Sequence, residues 1–328
     1  MPCEPRDAAR LLVAVDPEGA VEHRHVRDLP DLLEPGDVLV VNDTKVLPAR
    51  LHLQKATGGR VEVLLLEPDG RGRWEALVRP GRRVPPGTKL VPPVDGIDRA
   101  LTVEVEDDLG DGRRRVRLLT DDGDELAALD AHGEVPLPPY ITTPLDDPDR
   151  YQTVYAARPA SVAAPTAGLH LTSTVLDACR ARGVDVVTVE LEVGLDTFRP
   201  IMAARPEDHV MHSERYRVSA ATLGACARAT RVVAVGTTTV RALESAARGQ
   251  LEGRTDLYIR GDFSFQVVDV LLTNFHLPRS SLLLLLDAFA GARWRDLYER
   301  ARGGGYRFLS FGDAMLVSSA QPPQAAVR

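Results

Sequence analysis

The stretch Ser161-Val-Ala-Ala-Pro-Thr-Ala-Gly-Leu-His170-Leu-Thr172 holds residue types that suit chemistry better than packing. Ala163, Ala164, Ala167 and Gly168 let a backbone pass close to another surface. Thr166, His170 and Thr172 add hydroxyls and an imidazole, and Pro165 stiffens the approach. The segment runs into a helix start, where free N–H groups attract negative charge. It reads as a loop shaped around a ligand, against the plainer reading of a tight loop with satisfied polar groups. Three further segments share its character: Asn42-Asp-Thr-Lys45, Gly236-Thr-Thr-Thr-Val-Arg241 and Thr273-Asn-Phe-His276. Each follows an apolar run, and in open α/β sheets ligands collect beyond the carboxyl ends of strands.

The Gly236 turn sets three hydroxyls at a helix N-terminus, a seat for a carboxylate or phosphate or simply a capping arrangement. It lacks the Gly-Lys-Thr ending of a phosphate-binding loop and the G-x-G-x-x-G dinucleotide pattern. His170, His209, His212 and His276 have no standard metal-ligand spacing, so no metal is expected. An imidazole titrating near neutrality serves better here as an acid or base. No G-x-S-x-G elbow is present, which argues against a serine hydrolase.

The elements that must position these groups change in texture along the chain. Residues 11–15, 38–41 and 61–66 read as strands. From about 67 to 134, short alternating segments such as Trp74-Glu-Ala-Leu-Val-Arg79 and Leu101-Thr-Val-Glu-Val105 are separated by Pro, Gly and Asp turns. That spacing predicts a small all-β barrel. After Tyr151 the pattern becomes α/β: a helix capped by Thr172 or Ser173 and ending before Gly183, a strand over 184–193, and a strand over 231–236. A helix over 240–247, a strand over 266–272 and a Ser280-capped leucine-rich helix follow. Residues 306–315 read as two strands joined by a Gly-Asp turn. The expected architecture is α/β, a mixed α/β barrel-like main domain with an inserted small all-β barrel domain. The catalytic domain is discontinuous, 1–66 and 140–328, with the insert at 67–139.

At 328 residues, two domains are the natural expectation. Cys3, Cys179 and Cys226 are odd in number and widely spaced, which points to a reducing, cytoplasmic setting. No signal peptide precedes the first strand, and the apolar run 282–286 is far short of the ~20 residues needed to span a bilayer. A formal net charge of −7 argues against a generic nucleic-acid coat. The predicted insert carries 11 Arg and Lys against 16 Asp and Glu, so it is not a basic RNA-binding module.

Together the motifs resemble the S-adenosylmethionine:tRNA ribosyltransferase-isomerase family of queuosine biosynthesis. The resemblance rests on Pro35-Gly-Asp-Val-Leu-Val-Val-Asn-Asp-Thr-Lys-Val-Leu-Pro-Ala-Arg-Leu51, Val135-Pro-Leu-Pro-Pro-Tyr-Ile141, Tyr151-Gln-Thr-Val-Tyr155 and the 161–172 segment. It continues through Asp208-His-Val-Met-His-Ser-Glu214, Ala234-Val-Gly-Thr-Thr-Thr-Val-Arg-Ala-Leu-Glu-Ser245 and Leu272-Thr-Asn-Phe-His-Leu-Pro278, and ends in 306–316. The resemblance implies transfer and isomerisation of the ribosyl part of S-adenosylmethionine onto 7-aminomethyl-7-deazaguanine at the tRNA wobble position. Epoxyqueuosine forms, and adenine and methionine leave. S-adenosylmethionine is then a co-substrate, the tRNA anticodon loop the partner, and a cytoplasmic monomer the working form.

The implied chemistry needs a base for C5′, donors for adenine and ribose, and a seat for the methionine carboxylate. On residue type, His170 is the first candidate base, with His276 and His212 behind it. Asp43 joins the catalytic set, and Asp43 and Glu244 are candidates for ribose hydroxyls or the sulfonium side. Thr237, Thr238 and Thr239 would hold the carboxylate. Arg50, Arg241 and Asn274 would orient cofactor or anticodon, and Thr44, Thr166 and Gly168 complete the cofactor-binding set. Two positions depart from the family pattern in Leu191-Glu-Val-Gly-Leu-Asp-Thr-Phe198: Glu192 replaces a histidine and Asp196 a glycine. Two extra carboxylates would suit a smaller or more cationic acceptor than RNA, or a changed proton relay; a protein that keeps the fold without the catalysis is a separate reading, against which the intact Thr166, His170 and His276 count.

Overall fold

The computed structural model describes residues 2–16, 19–70, 72–93, 100–143, 145, 147–194, 201–203 and 205–321. They form two compact units. The larger comprises Met1–Lys45, Thr143–Arg158 and Ala164–Arg328, and the smaller Val46–Thr142 with Pro159–Ala163.

The larger unit is built on a nine-stranded sheet in the order Glu252–Thr255, Glu214–Arg217, Asp185–Leu191, Val38–Asn42, Val232–Val235, Val270–Asn274, Ala314–Ser318, Arg10–Ala14, Glu22–His25. The four strands from Asp185–Leu191 to Val270–Asn274 run parallel. Val38-Leu-Val-Val and Val232-Val-Ala-Val are continuous apolar runs, and every residue of Val38–Asn42, Val232–Val235 and Val270–Asn274 is buried. Burial on both faces is the normal state of parallel strands and explains why these runs do not alternate. On one face, Leu39, Val41, Val233, Val235, Val270 and Leu272 pack with Val175, Leu176 and Cys179 of the helix Ser173–Ala181. Thr172 caps that helix by accepting from the Val175 N–H at 3.3 Å, and Ser280 caps Ser281–Ala290 in the same way at Leu283.

Three expectations for the larger unit need correction. The larger unit's sheet does not close: its edge strands, Glu22–His25 and Glu252–Thr255, each pair on one side only among the described residues. Both edges are almost wholly exposed and rich in charge, a composition that resists further strand pairing. The strand expected over 266–272 begins only at Val270, because the N–H groups of Gln266, Val267 and Val268 donate to the Glu244 carboxylate instead of to a ladder. Residues 306–311 form no strand. Asp313 accepts from the N–H groups of Arg307 and Arg10, and Leu309 turns the chain at φ 72°.

The smaller unit is a closed six-stranded antiparallel barrel: Arg50–Lys55, Arg60–Pro68, Arg73–Arg79, Arg113–Leu119, Thr102–Gly110 and Lys89–Val91, which returns to Arg50–Lys55. Alternation places Trp74, Ala76 and Val78 inside, and Arg114, Val116 and Leu118 do the same on the next strand. The outward arginines meet acids across strands, Arg113 with Glu75 at 2.7 Å and Arg115 with Asp107 at 2.8 Å. This unit starts at Val46, before the boundary drawn at residue 67, because Arg50–Lys55 and Arg60–Pro68 are needed to complete the ring.

At the amino ends of the parallel strands, Asp37 is buried and pairs with Arg231 through two hydrogen bonds, 2.6 and 3.0 Å. It also accepts from the Glu34 N–H at 2.9 Å. Asp37→Ala strands a largely desolvated guanidinium and a backbone donor, so urea denaturation should show a loss of about 2–3 kcal/mol. A change smaller than about 0.5 kcal/mol would show that this pair does not hold the sheet.

Candidate active site at the carboxyl ends of the parallel strands

From Val38–Asn42 the sheet continues to Asp185–Leu191 on one side and to Val232–Val235 on the other. This is a topological switch point, where loops leave in opposite directions and open a crevice beyond the strand ends. Three of the sequence-predicted segments, at 42–45, 236–241 and 273–276, leave neighbouring parallel strands at this end. Asn42 stitches it together: its Nδ2 donates to the Leu191 carbonyl at 3.0 Å, and its Oδ1 accepts from Leu191 N and from Thr44 N and Oγ1. Thr44 is thus part of the frame.

The fourth segment forms the short helix Thr166–His170, and it is tied to the strand Val270–Asn274. His170 Nε2 lies 2.8 Å from Asn274 Oδ1, and Asn274 Nδ2 donates to Thr166 Oγ1 at 3.1 Å. His170 is 4% exposed. Burial pulls its pKa below the ordinary histidine value, against the opposing hydrogen bond to Asn274 and the charge of Asp313, while Arg307 and Arg150 add to the lowering. The imidazole is therefore neutral at pH 7. An amide oxygen only accepts, so Nε2 carries the proton and Nδ1 keeps its lone pair.

Gly236 joins this loop to the next strand end. Its φ of 89° suits glycine, and a side chain there would lie 3.6 Å from both Ala167 Cβ and Thr238 Oγ1. Gly168 is held more tightly. A methyl group on it would overlap the Tyr155 hydroxyl and lie 3.0 Å from Thr153 Cγ2. Beside these glycines Thr153 Oγ1, Tyr155 Oη and Thr238 Oγ1 are buried with no hydrogen-bond partner in the protein, and Asp43 Oδ1, whose charge reaches Tyr155, is another such atom. Native interiors satisfy nearly all such atoms, which makes these four candidates to meet a polar ligand. Burial raises the Asp43 pKa, as does the Glu190 charge, while a hydrogen bond to Thr188 and the Arg158 charge oppose the rise. Arg158 is ion-paired with Glu190 and also feels Glu192. Thr153 and Tyr155 escaped the reading of residue types, because an aromatic and a threonine beside a turn read as packing. The matching Tyr151-Gln-Thr-Val-Tyr155 stretch was the available signal.

Other predicted residues lie elsewhere. His276 hydrogen-bonds Thr273 Oγ1 at 3.0 Å and its N–H donates to Tyr298 Oη at 2.8 Å. Thr273 and Asn274 are consecutive in one strand and point to opposite faces, so His276 and His170 serve opposite sides of the sheet. His212 meets Glu214 at 3.2 Å, and Glu214 pairs with Arg241. Arg241 also donates to the carbonyls of Leu257 and Thr255. Burial alone would raise the Glu214 pKa, and the charged and hydrogen-bonding partners His212 and Arg241 bring it below the ordinary value. Glu244, fully buried, accepts from Gln266, Val267 and Val268 N–H and from Arg248, so both its oxygens serve the backbone. In the helix Thr237–Ala247, Thr239 Oγ1 donates at 2.6 Å to the carbonyl of Val235, the last residue of the preceding strand. Thr237 opens that helix, and Arg50 belongs to the barrel unit. Asp196 lies outside the described residues. Among the described residues no group of three or more His, Cys, Asp and Glu gathers as a metal site.

A family model described as queuosine biosynthesis protein matches residues 1–317. The chain belongs to this family. It is similar to the S-adenosylmethionine:tRNA ribosyltransferase-isomerase of Thermus thermophilus, with 52% identity over 96% of this chain and 94% of that protein. The Moorella thermoacetica protein of the same name is 50% identical with the same coverage. A crystal structure of S-adenosylmethionine tRNA ribosyltransferase from Thermotoga maritima matches with a TM-score of 0.53 and 36% identity, over 96% of this chain and 94% of that one.

Two tests address the frame of this queuosine-family site. Gly168→Ala should cost about 1–3 kcal/mol through overpacking against the Tyr155 hydroxyl. Tyr155→Phe in the same chain should recover part of that loss, as a double-mutant cycle would read. Additive effects would show that the two positions do not touch. His276, neutral and buried, has its pKa lowered by burial from 6.5 to about 4. The unfolded chain binds that proton first, so the stability contribution is whole above pH ~6.5 and declines as pH falls toward 4. Denaturation across that window should show a fall that His276→Gln flattens; identical slopes would exclude His276 as its source.

Proposed function

We propose that this chain transfers the ribosyl moiety of S-adenosylmethionine, and isomerises it, onto 7-aminomethyl-7-deazaguanine in the tRNA wobble position. Epoxyqueuosine is formed, and adenine and methionine are released. The observation that supports the residue assignment best is the His170–Asn274–Thr166 hydrogen-bond chain at the switch point. It keeps a neutral imidazole in one orientation, with Nε2 occupied and the Nδ1 lone pair available. In this reading His170 Nδ1 takes the C5′ proton, which the adjacent sulfonium acidifies, and Asn274 holds the imidazolium that results. Asp43 faces the ribose, and Thr238 with the first N–H groups of the helix Thr237–Ala247 receives the methionine carboxylate. Gly168 leaves the room that the Tyr155 hydroxyl takes, and Gly236 keeps its turn free of a side chain.

His276, His212, Arg241 and Glu244 hold the strand ends and their loops in place in this reading. The 46–142 barrel is taken as an insertion into the catalytic unit, and the chain as a cytoplasmic monomer, which light scattering on the eluted protein would check. Incubating the protein with S-adenosylmethionine and tRNA carrying the deazaguanine should release adenine only when both are present. His170→Ala should slow that release by about 10²–10⁴-fold. Near-normal release by both His170→Ala and Asp43→Ala would remove the catalytic assignment, and release without tRNA would remove the acceptor.

A further inference from the structure

The buried polar atoms without partners separate into donors and acceptors. Asp43 Oδ1 accepts, and the Tyr155 hydroxyl is a donor, since burial and the neighbouring Asp43 charge hold the phenol protonated far above any working pH. Asp43 and Tyr155 are close enough for that charge to matter, yet neither bonds the other's partnerless oxygen. Tyr155 is also fixed in place: its hydroxyl fills the space where Gly168 lacks a side chain, two residues before His170. A phenol held by packing at its far end and left without a hydrogen bond is costly, by about 1–3 kcal/mol, unless a ligand completes it. No such arrangement is needed for the core, because phenylalanine would fill the same volume without the penalty.

We propose that Tyr155 is a substrate-positioning residue, and that its hydroxyl donates to a ribose oxygen of S-adenosylmethionine while Asp43 accepts from a ribose hydroxyl. A vicinal diol both donates and accepts, so it matches a fixed donor beside a fixed acceptor. The pair then orients the sugar so that C5′ is presented to His170. This rests on the function proposed above and adds Tyr155 to it.

The test is Tyr155→Phe, with ligand binding read by calorimetry apart from turnover. S-adenosylmethionine and S-adenosylhomocysteine should both bind about tenfold more weakly to the variant. The variant should melt at the same temperature as the wild type or higher, since a partnerless buried hydroxyl has been removed; a purely structural tyrosine would lower it. Of the 2′-deoxy and 3′-deoxy forms of S-adenosylhomocysteine, at least one should bind wild type and variant equally, because its contact is already missing. Unchanged affinity for S-adenosylmethionine in a variant that binds it would overturn this inference and leave the proposed function standing. Equal losses for every analogue would overturn it as well. A wild-type protein that binds neither compound would overturn both.

Discussion

Three neighbouring parallel strands, Val38–Asn42, Val232–Val235 and Val270–Asn274, are buried on both faces, and the rest of the larger unit follows from that constraint. Strands so placed cannot use water to satisfy their ends, so each end needs its own device. At the amino ends it is the Asp37 carboxylate, shared between Arg231 and the Glu34 N–H. At the carboxyl ends it is the Asn42 amide, which meets both the N–H and the carbonyl of Leu191. The loops released there must turn sharply, which brings Gly236 and the polar residues after it to one place.

The same constraint sets the chemistry. A histidine in water titrates near neutrality, but His170 is enclosed by the core that covers the sheet, and burial keeps it neutral. Its direction is then decided by Asn274, whose amide is itself fixed by Thr166. The close approach of Tyr155 to Gly168 keeps this loop seated beside the strand end. Where the interior could be completed from within, it was: Glu244 meets three backbone donors and Arg248, and Arg241 meets Glu214. Among the polar atoms left over are Asp43 Oδ1, Thr153 Oγ1, Tyr155 Oη and Thr238 Oγ1.

Much of this was legible in the residues. The apolar runs at 38–41 and 231–235 and the caps Thr172 and Ser280 mark elements found where expected, because their signals are local. The difficulties came from distant partners. Residues 266–268 look like strand, but a glutamate twenty or more positions earlier takes their N–H groups. Residues 306–311 alternate like a strand, yet Asp313 draws Arg307 and Arg10 into a turn. His276 and His170 carry the same side chain and similar surroundings in sequence. One residue of offset along a strand, Thr273 against Asn274, sends them to opposite faces.

By itself the sequence determined the order of the elements, the chemical types available at each strand end and the membership of the family, because periodicity, capping and motif are properties of neighbouring residues. Only the tertiary structure decided which polar groups are already satisfied and which are not. That depends on burial and on partners more than a hundred positions away, as between His170 and Asn274. It also decided where the barrel closes, since Arg50–Lys55 and Lys89–Val91 must meet in space before either can be assigned to it. A hydrogen bond is short-ranged, so a residue's role is set by what lies within about 3 Å of it once the chain has folded.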